Sequence, residues 1–501
     1  MAELTTPERA ERLAAERAEQ ARWRKRKHDD WMVGFDRLVD NEFRAPADQA
    51  VDIAERLRAL VEFATVEVPY YRDLFARLKI SPRDIAGPGD LPLLPEIDKA
   101  IIREQGKRLR PRSLPRGERP AGGNRSSGST GPATVIARSE RSRMLDLLME
   151  QRQLRWYRFD PMQSMAWIRT AVDMPRIPPG RLVRIGEAIR MQGWPHLALY
   201  FETGPFMGFA AANPLDNQVA WLERNNPTYL RISSGNLEQL AFAFLDRPKL
   251  AGLRGLRAAS EPLTPGMRAR IEKTFGAPVN ISLGLNEIGW IATRCESGRY
   301  HAHAEHFLVE IVDDAGKPVP AGTFGRILIT NVGNFAMPLL RYVSDDVALA
   351  LDGPCPCGRT LPSFGDIVGR HSQMAGLPEG TLALVSALRG TMEELPDELA
   401  RGIREYQVRQ NTAGGFELRL VLAGSLAPGL RDHVMGIWRR ALAATGTGAK
   451  PPLSILEAGE IPRAASGKFF YFVSELARAA GTKDWAVAAP APHGPGPNQP
   501  V

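Results

Sequence analysis

The sequence predicts an α/β fold: a large N-terminal domain of mixed sheets and flanking helices, followed by a small mobile α+β C-terminal domain. Three observations lead there. The chain has 501 residues, too many for one hydrophobic core. Between residues 140 and 280, helical stretches alternate with short apolar runs such as Tyr229-Leu230-Arg231-Ile232, punctuated by turns at Pro179-Gly180, Asn213-Pro214 and Pro265-Gly266. Past Arg370 the texture changes to two amphipathic strand-like stretches, 405–410 and 416–422, and a helix over 430–444. The organisation expected is a charged helical arm over 1–45, a large domain over 46–369, a small lid domain over 370–485 and a disordered Ala-, Pro- and Gly-rich tail over 486–501.

Composition bounds the function. A hydrophobic fraction of 44% and a charged fraction of 24% are those of a globular chain with a real core. No run of 18 apolar residues exists and the N-terminus is rich in Glu and Arg, so neither a membrane span nor a secretory signal is expected, and the cytoplasm is the expected location. Three cysteines cannot build a disulfide framework. The formal charge of +8 is small, but Lys99, Arg103, Lys107, Arg108, Arg110, Arg112, Arg116, Arg119 and Arg125 face only Glu104 and Glu118 in one segment. That segment either attracts a polyanion or is a solvated loop. It has no aromatic residue to stack on a base, and no nucleic-acid partner is expected.

Taken in order, residues 3–30 favour a helix with few apolar positions, which reads as a solvated arm. The cluster Arg22 to Lys27 is nearly cancelled by seven acids in the first thirty residues. Residues 51–77 show helical periodicity broken at Val68-Pro69, hence two helices. Next comes Asn124-Arg125-Ser126-Ser127-Gly128-Ser129-Thr130-Gly131-Pro132, whose glycines admit a phosphate close to the backbone and whose hydroxyls add donors. It lacks the Gly-Lys-Ser/Thr of a Walker loop, but it precedes a strand expected at 133–136. A strand near 256–259 leads through Ser260-Glu261-Pro262 to a helix from Thr264 to Phe275, stopped by Gly276. The strand ending near Ser282 then delivers Gly284-Leu285-Asn286-Glu287 at its C-terminal end, where open α/β sheets bind ligands.

The stretch 281–370 holds all three cysteines. Cys295 and His301 are separated by five residues, and 53 more precede the Cys355-Pro356-Cys357 pair. Three thiolates and one imidazole would close a tetrahedral zinc site with no open position, a structural metal. Reduced cysteines that merely pack are the alternative, disfavoured by the Gly353 to Gly358 turn around two of them. Near the C-terminus Pro462-Arg463-Ala464-Ala465-Ser466-Gly467-Lys468 places a lysine in a Ser-Gly turn.

Together, from Val68-Pro69-Tyr70-Tyr71 to Lys468, these stretches resemble the phenylacetate-CoA ligase branch of the adenylate-forming enzymes, the superfamily of acyl-CoA synthetases, luciferases and adenylation domains. The resemblance implies that Ser126, Ser127, Gly128, Ser129, Thr130 and Gly131 hold ATP phosphates. It implies that Asn286 and Glu287 lie at the α-phosphate with Glu287 holding Mg²⁺, and that Ser260, Glu261 and Pro262 belong to the nucleotide site. It further implies that Asp346, in Arg341-Tyr342-Val343-Ser344-Asp345-Asp346, binds the ribose, that Arg370 faces the nucleotide near the hinge, and that Lys468 contacts carboxylate and phosphate. The zinc knot of that family has the order Cys295, His301, Cys355, Cys357 seen here. The activity implied is ATP-dependent adenylation of a carboxylic acid, an aromatic one of arylacetate or benzoate type, with transfer to coenzyme A as the thiol substrate.

Departures accompany the match. Leu283 stands where the family stacks adenine on Tyr, Asn286 replaces Thr, and the hinge reads His371-Ser372-Gln373-Met374 followed by Ala375-Gly376-Leu377-Pro378. They leave room for an amine or carrier-protein thiol as acceptor, or for a zinc-stabilised binding protein of the same fold; retention of Glu287, Asp346, Arg370 and Lys468 speaks against the last. The resemblance also implies that the walls of the acid pocket come from 190–290, with Trp194, His196, Tyr200 and Phe201 as candidates and core packing as their alternative. The oligomeric state is left open, a homodimer being one arrangement.

Overall fold

The computed structural model describes residues 6–23, 29–125, 134–169, 188–259, 261, 263–370, 381–445, 450–461 and 471–476. It opens with two helices, α1 (Thr6–Gln20) and α2 (Asp29–Asn41), and here the expectation of a solvated arm fails. Trp23, Phe35 and Leu38 belong to the main core, with Trp23 1% exposed and edge-on to Trp194 and Phe201 at 6.0 and 5.4 Å. Glu16 and Glu42, which read as solvent-facing charges, are buried against Arg155 and Arg359. A local count of polarity cannot anticipate this, because each carboxylate's partner lies more than a hundred residues away and makes its burial tolerable.

Helices α3 (Pro46–Glu67) and α4 (Pro69–Leu78) are divided where Val68 turns extended, at φ −103° and ψ 111°, and Pro69 opens the second helix. Helix α5 (Lys99–Gln105) is capped by Asp98, which accepts from the Ile101 amide at 2.8 Å. The basic segment after it is tied down by ordinary surface pairs, Arg108 to Asp73 at 2.6 Å and Arg119 to Glu140 at 3.0 Å. Strands β1 (Pro120–Arg125) and β2 (Val135–Ser139) pair antiparallel with Arg125 opposite Val135, so they form the base of the hydroxyl-rich loop, which itself lies outside the described residues. Helix α6 (Glu140–Trp156) follows, capped by Ser139.

The chain then builds β3 (Met165–Arg169), β4 (Ile189–Met191), β5 (Phe206–Ala210), α7 (Leu215–Asn225), β6 (Tyr229–Ser233), α8 (Ser234–Ala243), β7 (Gly255–Ala259), α9 (Pro265–Phe275) and β8 (Val279–Leu285). After these come β9 (Gly289–Arg294), β10 (Tyr300–Ala302), β11 (Phe307–Val312), β12 (Phe324–Asn331), β13 (Tyr342–Leu349), β14 (Ser363–Phe364) and β15 (Ile367–Arg370). Among the described residues the main sheet runs β14-β10-β9-β8-β7-β6-β3-β5-β4, parallel from β8 to β5 and antiparallel at both edges. The buried apolar faces of β5, β6 and β7 explain their near-continuous hydrophobic runs. Strand β3 lies between β5 and β6, so the winding reverses beside it, the place at whose carboxyl ends open α/β sheets take ligands. Helix α9 matches its expected limits: Thr264 caps it, and Gly276 ends it at φ +66°. A second, antiparallel sheet runs β11-β12-β13-β15.

The remaining elements are α10 (Thr381–Glu393), α11 (Asp397–Ala400), β16 (Ile403–Gln410), β17 (Phe416–Leu422), α12 (Leu430–Thr445), β18 (Leu453–Glu457) and β19 (Phe472–Ser474). Their sheet, β18-β17-β16-β19, covers a separate core that includes Leu388, Met392, Val408, Leu418, Leu420, Val434 and Trp438. This unit rests on α8 and α9: Phe242 joins its core, and Arg270 donates to the carbonyls of Met392 and Glu393 at 3.0 and 2.8 Å. No helix among the described residues is long and apolar enough to cross a membrane.

Candidate active site and metal centre

Strand β8 turns back into β9 through Asn286, Glu287 and Ile288, a tight hairpin closed by the Ile288 amide on the Leu285 carbonyl at 3.1 Å. Gly289 has φ +120°, and any Cβ there would strike Asp146 Oδ1, so only glycine fits the exit of the turn. The turn drives Glu287 inward, 4% exposed, while Asn286 faces solvent. Tyr342 Oη donates to Glu287 Oε1 at 2.9 Å, and Lys99 Nζ lies 3.6 Å from the same oxygen. Burial first, and then the Glu287 carboxylate, push the Tyr342 hydroxyl far above the usual phenol range, so it stays a donor.

Two separate stretches are drawn to this acid by backbone pairing. The Ile97 amide donates to the Arg341 carbonyl at 3.0 Å and the Val343 amide to the Ile97 carbonyl at 2.9 Å, which sets Asp98 and Lys99 beside the start of β13. Arg341 adopts φ +57°, its guanidinium spent on Glu310 and the Leu94 carbonyl. Beyond it on β13, Asp346 is half-buried and faces Arg370 across the β13 and β15 register. Glu261 lies at the start of α8, where its carboxylate accepts from the Gly235 amide at 2.7 Å and its carbonyl from Ser234 Oγ at 2.8 Å.

The structure thus unites Glu287 with Tyr342 and Lys99, and sets Asp346 against the Arg370 backbone. Ser126 to Gly131, Ser260, Pro262 and Lys468 lie outside the described residues. Sequence reasoning misses Lys99 and Tyr342. Lys99 enters it only as part of the basic run, and Tyr342 only as a neighbour of Arg341; their signal is the pairing of residue 97 with β13, which no local pattern reveals. Of the candidate pocket walls, Trp194 and Phe201 are core residues, 1% and 2% exposed, and His196 faces solvent.

The metal-ligating set comes together. Cys295 ends the β9 hairpin, His301 lies on β10, and Cys355 and Cys357 come from the loop between β13 and β14; all four are buried and their ligand atoms lie within 4.8 Å of one another. Cys295 Sγ is 3.6 Å from Cys355 Sγ, and Cys357 Sγ is 3.3 Å from His301 Nε2. These separations are close to the edge of a zinc tetrahedron, about 3.7 Å between sulfurs, and too long for a disulfide. His301 Nδ1 donates to the Leu361 carbonyl at 3.0 Å, which leaves Nε2 free for a metal. The donor set fits zinc, and four protein ligands fill its tetrahedron. Arg359, next to the knot, ties it through Glu16 to α1 and through Glu42 to the turn after α2.

No family model matches the chain. It is 26% identical over 444 residues to the phenylacetate-coenzyme A ligase of a Thermus thermophilus strain, covering 83% of this chain and 94% of that one. It is 25% identical over 332 residues to the enzyme of the same name from Aromatoleum evansii, covering 64% and 70%. Among solved structures, a 2-hydroxyisobutyryl-CoA ligase in the postadenylation state, bound to an acyl-AMP, superposes with a TM-score of 0.66 at 17% identity, covering 88% and 93%.

Proposed function

We propose that this chain, a relative of the phenylacetate-CoA ligases with the fold of the adenylate-forming CoA ligases, is an AMP-forming acid–thiol ligase that activates an aromatic carboxylic acid of arylacetate or benzoate type and passes it to coenzyme A. The observation that carries this reading is the buried Glu287 carboxylate, held at the carboxyl end of the parallel sheet by Tyr342 with Lys99 beside it.

The chemistry asks for such a group. A substrate carboxylate oxygen bonds to the α-phosphorus while the bond to the β-phosphate oxygen breaks and pyrophosphate leaves, so two anions must approach each other. Glu287 would hold Mg²⁺, which supplies charge neutralisation at the α-phosphate when bound. Tyr342 fixes the carboxylate, and Lys99 and Lys468 contribute cations on the protein's side. Asp346 serves the ribose, Glu261 with Ser260 and Pro262 the adenine side, and the loop from Ser126 to Gly131 the phosphates. In the second step the thiol sulfur of coenzyme A attacks the acyl carbonyl, its proton passing to solvent, and AMP departs. The small C-terminal unit is the lid, and its rotation exchanges Lys468 for the thiol. Zinc at Cys295, His301, Cys355 and Cys357 is structural.

Pyrophosphate release against a panel of aryl and aliphatic acids, with and without coenzyme A, tests the reading. Release with an aryl acid and thioester formation with coenzyme A are expected. Failure to release pyrophosphate with every acid overturns it, and release without thioester moves the acceptor to an amine or carrier thiol. Lys468→Ala should cut adenylation far more than thioester formation from supplied acyl-adenylate; equal losses would remove its role.

A further inference from the structure

Behind the Glu287 hairpin lies a row of side chains with more positive charge than its surroundings answer. Register across the parallel strands sets Trp167 of β3 beside Arg231 of β6, and Arg231 beside Arg257 of β7. Arg169, two residues past Trp167, shares its face of the sheet. The Arg231 guanidinium stacks over Trp167 at 4.0 Å and faces Trp290 at 5.2 Å; Arg257 covers Trp290 at 4.5 Å and Arg169 covers Trp167 at 4.6 Å. Trp290 is three residues past Glu287 and packs on Gly284, where a Cβ would come within 2.8 Å of its ring. The row therefore begins under the proposed phosphate-binding hairpin and ends at the carboxyl edge of β3, next to the reversal of winding.

Against these three guanidiniums the described residues bring one carboxylate. Glu150 Oε1, on α6, accepts from Arg257 at 2.9 Å and Arg231 at 3.2 Å. Arg257 also donates to Gln153 at 2.6 Å. The Nε of Arg231 is buried with no acceptor, and the exposed Arg169 lays its guanidinium over the Trp167 ring. Burial, then repulsion from Arg257, pulls Arg231 down to about 9, opposed by Glu150 and reinforced by Arg169. Two guanidiniums thus share one carboxylate, a third stands at the open end of the row, and Arg231 keeps a buried donor with no acceptor, a surplus of positive charge that suits an anion. The two half-buried indoles along the row suit a flat body.

Resting on the ligase reading, we propose that this row is the far end of the acid pocket and that its occupant is an aromatic acid bearing a second anionic group, distal to the carboxylate that is adenylated. Arg231 and Arg169 are then the residues that set specificity, through charge-assisted hydrogen bonds to that distal group.

The test uses the full chain without nucleotide, titrated calorimetrically with 4-carboxyphenylacetate and with phenylacetate. The dianion should bind at least tenfold more tightly, with an affinity that weakens as salt is raised. Arg231→Met and Arg169→Gln should each lower that ratio at least fivefold; if Arg231→Met does not fold, Arg169→Gln, at the exposed edge, carries the test. Equal affinities, no binding of either acid, or a ratio unmoved by the substitutions overturns the proposal. Pyrophosphate release is scored separately. Dianion preference with no release from any acid would uphold the row and overturn the ligase reading, whereas release from phenylacetate without dianion preference would overturn the row alone.

Discussion

Glu238 should make the seat of the small C-terminal unit sensitive to pH. It projects from α8 and is 1% exposed, packed where α10 contributes Arg389 and Glu393, α9 contributes Arg270, β16 contributes Tyr406, and Tyr471 precedes β19. Burial pushes its carboxyl up to about 7, with Glu393 adding to the rise and Tyr471, Arg389 and Arg270 resisting it. The folded protein therefore holds this proton more tightly than the unfolded chain does. Stability from the group is complete below the ordinary value of 4.5, declines as pH rises because the unfolded chain alone ionises, and is lost by about 7. At about 1.4 kcal/mol per tenfold in proton affinity, the gap from 4.5 to about 7 amounts to about 3 kcal/mol. Glu238→Gln keeps the neutral shape and removes the titration. Wild type and variant should agree at pH 4.5 and diverge toward pH 8, with the variant more stable by up to about 3 kcal/mol. Hydrogen exchange of peptides spanning 234–243 and 403–410 measures this directly. Parallel pH profiles in the two proteins, or a variant that loses protection as wild type does, would refute the reasoning.

Other outcomes follow from the same geometry. Tyr342→Phe removes the 2.9 Å bond to Glu287, and with a charged acceptor worth about 1.5–3 kcal/mol should slow pyrophosphate exchange about 10- to 100-fold and raise the Mg²⁺ requirement; rates within twofold of wild type would dismiss its role. Arg155→Met leaves Glu16 and Glu42 buried with fewer partners and should cost about 3–5 kcal/mol in denaturant unfolding, whereas a surface arm would lose nothing. Purified protein should carry one equivalent of zinc, and chelation or Cys357→Ser should lower the melting temperature; less than half an equivalent, with no loss on chelation, would count against the metal.

Local grammar made much of the fold legible. The break at Val68-Pro69, the capped helix from Thr264 to Gly276, the hairpin strands near 405–410 and 416–422, and the hydrophobic run of β6 follow from backbone restriction and periodicity, which act within a few residues. The spacing of Cys295, His301, Cys355 and Cys357 likewise announced a metal set, because the donor atoms themselves name the chemistry. Tertiary structure alone decided where charge belongs. Glu16 and Glu42 look like solvated acids until α6 brings Arg155, Lys99 looks like one more surface base until residue 97 pairs with β13, and Arg231 and Arg257 read as strand residues until they align over two indoles. The physical reason is that backbone propensity is set by neighbours along the chain, whereas the free energy of a buried charge is set by partners that only folding supplies.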